Sequence, residues 1–386
     1  MQFTVNRKKF LKELGIAGNF VDLKTEGQFN GVLIKAEEIG KLIITATGRK
    51  DAVRYEARAV CVNGEGCIFV GFNRLKLLLN SIVSNEVVFE DRSLKFDGGR
   101  TDFEPLSMEE APKFPESDEA RELYKIPSKE LKRMLSDIMP AMSVPTDFPK
   151  YMGTCLWRSE EGCITVVTTD GKKLGLARYF SDDIKRHDDL ILSADSVKGL
   201  EKLADIFGES AEFFIDDERL DERIWVKSKG IEFSARPKDG INFPLYERIL
   251  NTDVEMSLRC RKKDLESVIK SVYAVAKNTT SKIIGFKFYP GQGVIIGAHS
   301  EKAGDMITTF SKCEIEGKYL MLGFNGKYLL DALKMLGDCE ILIEFSGNEG
   351  QARFYRTDDK KGLEYLMMPC RLSPAELRVI DICYPT

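Results

Sequence analysis

An internal repeat constrains the fold of this 386-residue chain more than any other feature of the sequence. The basic segment Arg7–Leu11 recurs as 261–265, and the tripeptide 71–73 recurs as 323–325, at offsets of 254 and 252 residues. Two matches at nearly the same offset indicate duplicated structural units. A weaker counterpart in the middle third, with segments starting near 128 and 193, indicates three units in all.

Each unit is predicted to run helix, strands, helix, strands, because its apolar residues change from helical spacing to short β-branched runs. We predict helices over 7–18, 72–82, 128–140, 193–207, 261–277 and 325–336. Strand-like runs include 31–35, 41–47, 163–169, 284–288 and 340–345.

Polar residues and glycines mark the ends of the second helix of each unit. We expect N-caps or first-turn residues at Asn73, Ser193 and Asn325, and helix ends at Gly208 and Gly337.

The fold class predicted from this pattern is α+β, with three repeated domains. Phe-Pro pairs at 114–115 and 243–244 come shortly before the second and third units. We therefore divide the chain into domains over 1–125, 126–252 and 253–372, followed by a C-terminal extension over 373–386.

Several functional classes find little support in the sequence. It has no apolar run long enough for a signal peptide or a membrane helix, and its nine cysteines form no Cys-x-x-Cys pair. We expect reduced thiols, a cytoplasmic location, no metal and no cofactor. Neither 64–66 nor 291–293 matches a nucleotide-binding glycine loop. A nucleophilic pair of Cys163 and His187, in a small-molecule enzyme on a repeated scaffold, is the alternative from another class.

The distribution of charge is more informative than its total. The chain has 57 Lys and Arg against 61 Asp and Glu, a net charge of -4. The six predicted helices carry 18 basic and 9 acidic residues, which makes them +9 and the rest of the chain -13. Lysine is a good helix former, which accounts for part of this bias. Basic helices without base-reading side chains also suit sequence-independent contact with a phosphate backbone.

Five motifs, in order along the chain, are similar to those of the bacterial DNA polymerase III beta subunit, the sliding clamp. The resemblance covers essentially residues 1–372. The motifs are the start Met1–Val5 with its basic helix, the turn Thr169–Leu174, Phe243–Leu250, Gly323–Asp331 and Tyr365–Leu372.

This resemblance implies a non-catalytic clamp: a head-to-tail homodimer that closes a ring around double-stranded DNA, with helices lining the hole. It implies tethering of a replicative DNA polymerase and contact with a clamp loader. The residues expected to face DNA are Lys12, Arg74, Lys76, Arg133, Lys150, Tyr151, Lys198, Lys202, Lys270 and Lys334.

The resemblance also implies a hydrophobic cleft that takes short peptides from partner proteins. Methionine and leucine walls adapt to different peptides, and Arg248 would orient an extended chain. The matching positions are Met152, Thr169, Gly171, Lys172, Lys173, Leu174, Pro244, Arg248, Ile249, Leu366, Met367, Met368, Pro369, Cys370 and Arg371. The loop 147–151 would lie at the edge of this cleft.

The chain departs from the family at several places. Lys172 and Lys173 change the polarity of the cleft, and Cys370 stands where a larger apolar residue is common. Residues 20–31 match poorly, and 104–123 form an acidic connector. The family normally ends near Leu372, so the extension could cover the cleft, add an edge strand through 379–382 or be partly disordered. A clamp-like paralogue with a self-blocked cleft is therefore a second alternative.

Overall fold

The computed structural model describes residues 1–23, 27–37, 40–146, 148–216, 222–359 and 361–381. The chain forms two compact units. The first comprises Met1–Lys132, Asp183–Lys185 and Asp195–Lys238, and the second comprises Arg133–Asp182, Arg186–Ala194 and Asp239 onward.

Eight α-helices lie within the described residues. Their bounds are α1 Arg7–Ala17, α2 Phe72–Ser81, α3 Ser128–Ile138, α4 Ala194–Leu203, α5 Glu247–Leu250, α6 Lys262–Ala276, α7 Gly326–Met335 and α8 Pro374–Ile380.

The first unit contains two antiparallel sheets. Their strands are β1 Gln2–Asn6, β2 Gly31–Glu37, β3 Lys41–Thr47, β4 Asp51–Arg58, β5 Cys61–Gly64, β6 Gly66–Gly71, β7 Glu86–Glu90, β8 Ser93–Phe96, β9 Gly99–Asp102, β10 Arg121–Pro127, β15 Ser210–Asp216, β16 Arg223–Ser228 and β17 Ile231–Ala235. One sheet has the order β5-β1-β7-β8-β9, and the other has the order β10-β15-β16-β17-β4-β3-β2-β6.

The second unit also contains two antiparallel sheets. Their strands are β11 Thr154–Glu160, β12 Cys163–Thr169, β13 Lys173–Phe180, β14 His187–Ser193, β18 Met256–Arg261, β19 Ile283–Tyr289, β20 Gly293–Ser300, β21 Gly304–Phe310, β22 Cys313–Gly317, β23 Leu320–Asn325, β24 Glu340–Phe345, β25 Ala352–Arg356 and β26 Leu363–Met367. The long sheet has the order β14-β11-β12-β13-β26-β25-β24-β18-β22, and the short sheet has the order β21-β20-β19-β23.

The predicted alternation of helices and strands is confirmed. All six predicted helices are present, and the five predicted strand runs fall within β2, β3, β12, β19 and β24. The helices form because one face of each is apolar: in α1 the core side is Phe10, Leu14 and Ala17. The Phe10 ring meets the Phe89 ring edge-on at 5.5 Å, which fixes α1 on its sheet.

Four of the predicted end positions can be compared directly. Asn73 lies in the first turn of α2, and Gly337 follows the cap of α7 with a φ of +68°, as predicted. Asn325 caps α7 as predicted, since its side-chain oxygen accepts hydrogen bonds from the backbone N–H groups of Lys327 (3.0 Å) and Tyr328 (3.3 Å). The prediction for Gly208 is wrong, because α4 ends at Leu203 and its last turn closes through a bond from Ile206 N–H to the Leu203 carbonyl.

The C-terminal extension contains a helix, so of the three alternatives for it the edge strand through 379–382 is wrong over its described residues. Ser373 and Glu376 form a capping box, and Pro374 stands at the first helical position. Residues 382–386 lie outside the described part of the chain. Val379 and Ile380 are buried, so the helix is a packed element of the second unit.

The three-domain division remains a prediction. Strands of the middle third are shared between two long sheets: β15 to β17 pair into the sheet of β4, whereas β11 to β14 pair into the sheet of β26. Across the described ranges, we find no helix with both the length and the apolar content that a membrane crossing requires.

Candidate functional site

Strand pairing in the second unit brings together two of the motifs singled out in the sequence. In β13 and β26, Lys173 lies opposite Met367 and Leu174 lies opposite Leu366. The backbone N–H of Met368 continues the pairing with a bond to the Lys172 carbonyl at 2.9 Å. The turn over 169–174 therefore lies beside the segment over 365–371, although about 190 residues separate the two in the sequence.

Side-chain hydrogen bonds fix the shape of this turn. The Asp170 carboxylate accepts bonds from the N–H groups of Lys172 and Lys173, both at 2.9 Å. The Thr169 hydroxyl donates to the Lys173 carbonyl at 2.7 Å. Gly171 has a φ of +81°, a backbone conformation that glycine adopts without strain. The Thr-Asp-Gly sequence is thus explained by the turn itself.

An apolar cluster lies beneath the turn. Leu174 and Leu366 are buried in it together with the aromatic ring of Tyr246. Burial raises the pKa of the Tyr246 hydroxyl to about 12, so this hydroxyl is neutral at physiological pH. The remaining members are Leu156, Val167, Leu176 and Ile191, with Ile241, Phe243 and Leu250 packed against them.

Apolar and cationic side chains remain exposed around this cluster. Met368 is 42% exposed, and Ile249 is 38% exposed. Lys172, Arg248 and Arg371 are also exposed, and in the described part of the chain no carboxylate lies within ion-pair distance of them. An apolar surface with free cations is suited to a peptide that combines apolar and acidic side chains.

Five residues predicted for the cleft have buried side chains, and two of these, Met367 and Lys173, lie apart from the apolar cluster beneath the turn. The other three are Thr169, Leu174 and Leu366. Met367 is 1% exposed and belongs to the large core cluster of the second unit, because successive residues of a strand face opposite sides of the sheet. Lys173 is 8% exposed. Unlike Leu174 and Leu366, neither residue belongs to the small apolar cluster beneath the turn.

Lys173 forms a buried ionic cluster below the turn. Its ammonium donates to the Pro140 carbonyl and lies 3.9 Å from a carboxylate oxygen of Asp170 and of Asp331. It also lies 4.5 Å from the centre of the Tyr328 ring, within cation–π distance. Burial lowers the pKa of Lys173, and the two carboxylates oppose this shift.

The rest of the predicted cleft is arranged around the turn. Met152 lies against Gly171: a Cβ built on that glycine would be 3.4 Å from the Met152 methyl group. Pro244 starts the segment that leads into α5, and its carbonyl accepts a bond from Tyr246 N–H at 2.8 Å. Pro369 and Cys370 are half-buried and follow Met368.

Three residues that hold the segment over 247–252 carried no signal in the sequence analysis. Arg353 donates to the carbonyls of Leu250 (2.6 Å) and Thr252 (3.3 Å), and Gln351 donates to the carbonyl of Ile249 (2.6 Å). Arg158 pairs with Glu247 at the start of α5. These contacts span about 90 to 100 residues, so no local pattern could reveal them.

The cations predicted to face DNA are mostly exposed on helices. Those of the first unit are Lys12, Arg74, Lys76, Lys198 and Lys202, and those on helices of the second unit are Lys270 and Lys334. Lys150 is also exposed, and Tyr151 is half-buried against the Phe243 ring at 6.2 Å. Residue 147, which begins their loop, lies outside the described residues.

Arg133 differs from the other predicted DNA contacts. Its guanidinium is bonded to the Asp137 carboxylate at 3.2 Å and to the Arg178 carbonyl at 2.8 Å. Because these bonds already occupy the guanidinium, Arg133 is poorly placed to bind a phosphate.

The structure does not bring Cys163 and His187 together as a catalytic pair. The Cys163 sulfur lies 3.8 Å from the Thr165 hydroxyl, and His187 Nδ1 lies 2.8 Å from the Asp188 carbonyl oxygen. Burial raises the pKa of the Cys163 thiol, which is the opposite of what a nucleophilic cysteine needs. Within the described residues, no three potential metal ligands cluster.

The fold is that of one class of protein, the beta-type DNA sliding clamps. Residues 247–371 match the family model described as DNA polymerase III beta subunit, C-terminal domain. The sliding clamp of Bacillus subtilis superposes with a TM-score of 0.84 at 20% identity, over 97% of this chain and 100% of that one. The beta subunit of Thermotoga maritima gives 0.83 at 19% identity, over 96% and 100%.

Sequence relatives point to the same class. The beta sliding clamp of Halalkalibacterium halodurans is 22% identical over 96% of this chain and 100% of its own length. That of Bacillus subtilis is 24% identical over 69% of this chain and 68% of its own length. The resemblance inferred from the five motifs and the predicted α+β clamp fold are therefore confirmed.

Proposed function

We propose that this chain is a DNA sliding clamp, a processivity factor without catalytic activity of its own. The observation that carries the proposal is the match of nearly the whole chain to the clamp fold, with TM-scores of 0.83 and 0.84. A clamp tethers a polymerase by topology, so it needs a closed ring, a hole that tolerates DNA and a docking site. Acting on chromosomal DNA would place it in the cytoplasm.

Two sheet edges support a head-to-tail homodimer. Each of the four described sheets has two outer strands with one unpaired side, and we infer that β9 of the first unit and β21 of the second form the contact between subunits. Unpaired edges are sites for strand addition, and a heterologous contact that joins one edge to the other closes a ring after two subunits. Ile307 on β21 is an exposed apolar side chain that such a contact would cover. Native mass spectrometry should detect a dimer at micromolar concentration, whereas a stable monomer would contradict the ring.

The exposed helix cations support sequence-independent contact with duplex DNA. The six long helices carry 16 Lys and Arg against 8 Asp and Glu. Several of these cations are held by carboxylates, for example Lys270 by Glu266 at 2.5 Å. Attraction that is partly neutralised in this way keeps contact with phosphates weak enough for sliding.

We further propose that the replicative polymerase, the clamp loader and other partners dock through short peptides on the surface formed by Lys172, Arg248, Ile249 and Met368. The exposed Met368 and Ile249 supply apolar contacts, and the buried Leu174 and Leu366 form the floor. Met368→Ala should weaken binding of a peptide from the organism's own replicative polymerase about tenfold, since it removes most of an apolar anchor.

A matched control for this test is Met108→Ala, since Met108 is 45% exposed and lies in the other compact unit. Arg248→Ala should also reduce affinity without lowering the melting temperature. Equal peptide affinity in wild type and both cleft variants would place the docking site elsewhere.

The direct assay of function is primer extension on a long circular single-stranded template. With its clamp loader and ATP, the protein should lengthen the products that the polymerase makes in one binding event by at least about tenfold. Products of unchanged length would refute the proposed function. The paralogue with a self-blocked cleft is less well supported, because the extension leaves Met368 exposed.

A further inference from the structure

Three glycines form a row across the short sheet of the second unit. Gly285 in β19 lies directly opposite Gly297 in β20 and opposite Gly323 in β23. Three adjacent strands therefore lack side chains at the same level of the sheet. This row forms a shallow channel, which we call the glycine channel.

The C-terminal extension fills the glycine channel. A Cβ at Gly297 would lie 2.9 Å from methyl groups of both Val379 and Ile380. A Cβ at Gly323 would lie 2.8 Å from a methyl group of Leu372. Contacts this close are possible only with glycine, so the strands and the extension are shaped to each other.

Both ends of α8 are also fixed. The Glu376 carboxylate accepts a bond from Ser373 N–H at 2.7 Å, and the Lys287 ammonium lies 3.2 Å from the Asp381 carboxylate. The extension is thus packed against the sheet along the length of α8. Leu377 on the same helix is nevertheless 38% exposed, an apolar side chain that the core does not use.

Leu377 faces a groove of about 550 Å³ between α8 and the end of β26. On the sheet side, the Asn348 side chain accepts a bond from Met321 N–H at 3.3 Å. The lining residues are Met321, Leu322, Gly323, Asn348, Glu349, Pro369, Cys370, Arg371, Leu372 and Leu377. Pro369, Cys370 and Arg371 belong both to this groove and to the proposed peptide cleft, so the two are continuous.

The charge around the groove favours an acidic occupant. Arg371 lines the groove and is exposed, and no described carboxylate lies within ion-pair distance of it. Arg378 follows the lining residue Leu377 on α8; it is exposed and likewise has no described carboxylate within ion-pair distance. Burial raises the pKa of the Cys370 thiol, which keeps this lining side chain neutral at physiological pH. Glu349 is the one carboxylate among the lining residues.

We propose that α8 adds a second groove to the partner site, which binds an apolar side chain followed by a carboxylate in a peptide that continues beyond the segment held in the cleft. The apolar side chain packs on Leu377 and Leu372, and the carboxylate meets Arg371 and Arg378. This proposal rests on the proposed function, because the same partner occupies the cleft.

The test uses fluorescein-labelled peptides that share one motif from the organism's replicative polymerase. The motif is extended at either end by Gly-Leu-Asp-Asp or by the matched sequence Gly-Ser-Asn-Asn. Binding of each to the full chain is measured by fluorescence anisotropy. At one of the two ends, the peptide with the Leu-Asp extension should bind about five- to tenfold more tightly than the peptide with the Ser-Asn extension. The gain is expected because one leucine is buried and exposed ion pairs form.

Leu377→Asp should abolish this gain and leave the affinity for the unextended motif unchanged. Leu77→Asp, at an exposed leucine on α2, is the control and should retain the gain. Glu349→Gln removes a like charge from the groove and should increase the gain about twofold.

If peptides with the Leu-Asp and Ser-Asn extensions bind equally well at both ends, while the unextended motif still binds, the second groove alone is overturned. Failure of every peptide to bind would overturn the proposed docking function and this inference with it.

Discussion

At the scale of single residues, burial separates lysines that look alike in the sequence. Lys172 and Lys173 are adjacent, yet the first is exposed and the second lies in a cluster with Asp170, Asp331 and the Tyr328 ring. Two ion pairs at 3.9 Å would each give about 4 kcal/mol at an effective dielectric constant of 20. Desolvation of the ammonium costs several kcal/mol, and the lowered pKa shows that desolvation outweighs the pairs.

This balance predicts a small effect of Lys173→Met on stability at neutral pH, within about 1 kcal/mol of wild type. Because burial holds the pKa of Lys173 in the folded protein below its ordinary value of 10.5, the unfolded chain binds more protons in the pH range between the two pKa values. Wild type should therefore gain stability relative to Lys173→Met as pH rises through this window.

Urea unfolding at pH 7.5 and pH 10 measures this difference. Lys318→Met is the control, since the Lys318 side chain is 71% exposed. A stability difference between wild type and Lys173→Met that falls with rising pH would contradict the buried-lysine account.

Arg353 anchors the segment that carries Arg248 and Ile249 of the proposed peptide-binding surface. Its guanidinium holds the carbonyls of Leu250 and Thr252 and is largely buried. Arg353→Ala removes the donor to these two carbonyls and the cation beside the Glu344 carboxylate, which should cost about 2–4 kcal/mol. Because the segment that carries Arg248 and Ile249 then loses its anchor, affinity for the polymerase peptide should fall as well.

Thermal unfolding and peptide anisotropy on the same samples test this prediction. Arg356→Ala is a nearby control, since Arg356 pairs with Asp358 on its own segment. If Arg353→Ala unfolds at a lower temperature but binds the peptide normally below that temperature, the residue has no positioning role.

At the scale of elements, local sequence signals predicted what local physics decides. The six long helices were predictable because their apolar periodicity and polar caps act within a few residues, as at Asn325. None of the three alternatives for the extension was a helix, although the capping-box residues Ser373 and Glu376, with Pro374 between them, are visible in the sequence. The partner surface was predictable only through the family motifs, and its anchors Arg158 and Arg353 depend on contacts across the fold.

The docking of α8 on the glycine channel makes an element-scale prediction. Gly297→Ala should destabilise the protein by about 1–3 kcal/mol, because its Cβ would overlap Val379 and Ile380. The penalty should shrink when both of these residues are also alanine, since the space above the channel is then open. A double-mutant cycle by chemical denaturation measures the coupling, and additive effects would show that the helix does not occupy the channel.

At the scale of the whole molecule, charge separation reconciles a mildly acidic chain with DNA. The total of -4 conceals long helices whose basic residues outnumber acidic ones two to one. Replacing Lys12, Arg74 and Lys76 together by alanine should shorten the residence time on closed circular DNA and reduce its salt dependence, because fewer counterions are released. The dimer should remain intact in native mass spectra. A residence time with unchanged salt dependence would argue against these helices as the DNA-facing surface.

The central claim is that the protein holds DNA by encircling it. The direct measurement loads the labelled protein onto nicked circular DNA with its clamp loader, isolates the complex by gel filtration and then cuts the circle once with a restriction enzyme. A topological clamp stays on the intact circle and is lost rapidly after the cut, because it slides off the new ends. Equal retention on circular and linear DNA would contradict this account.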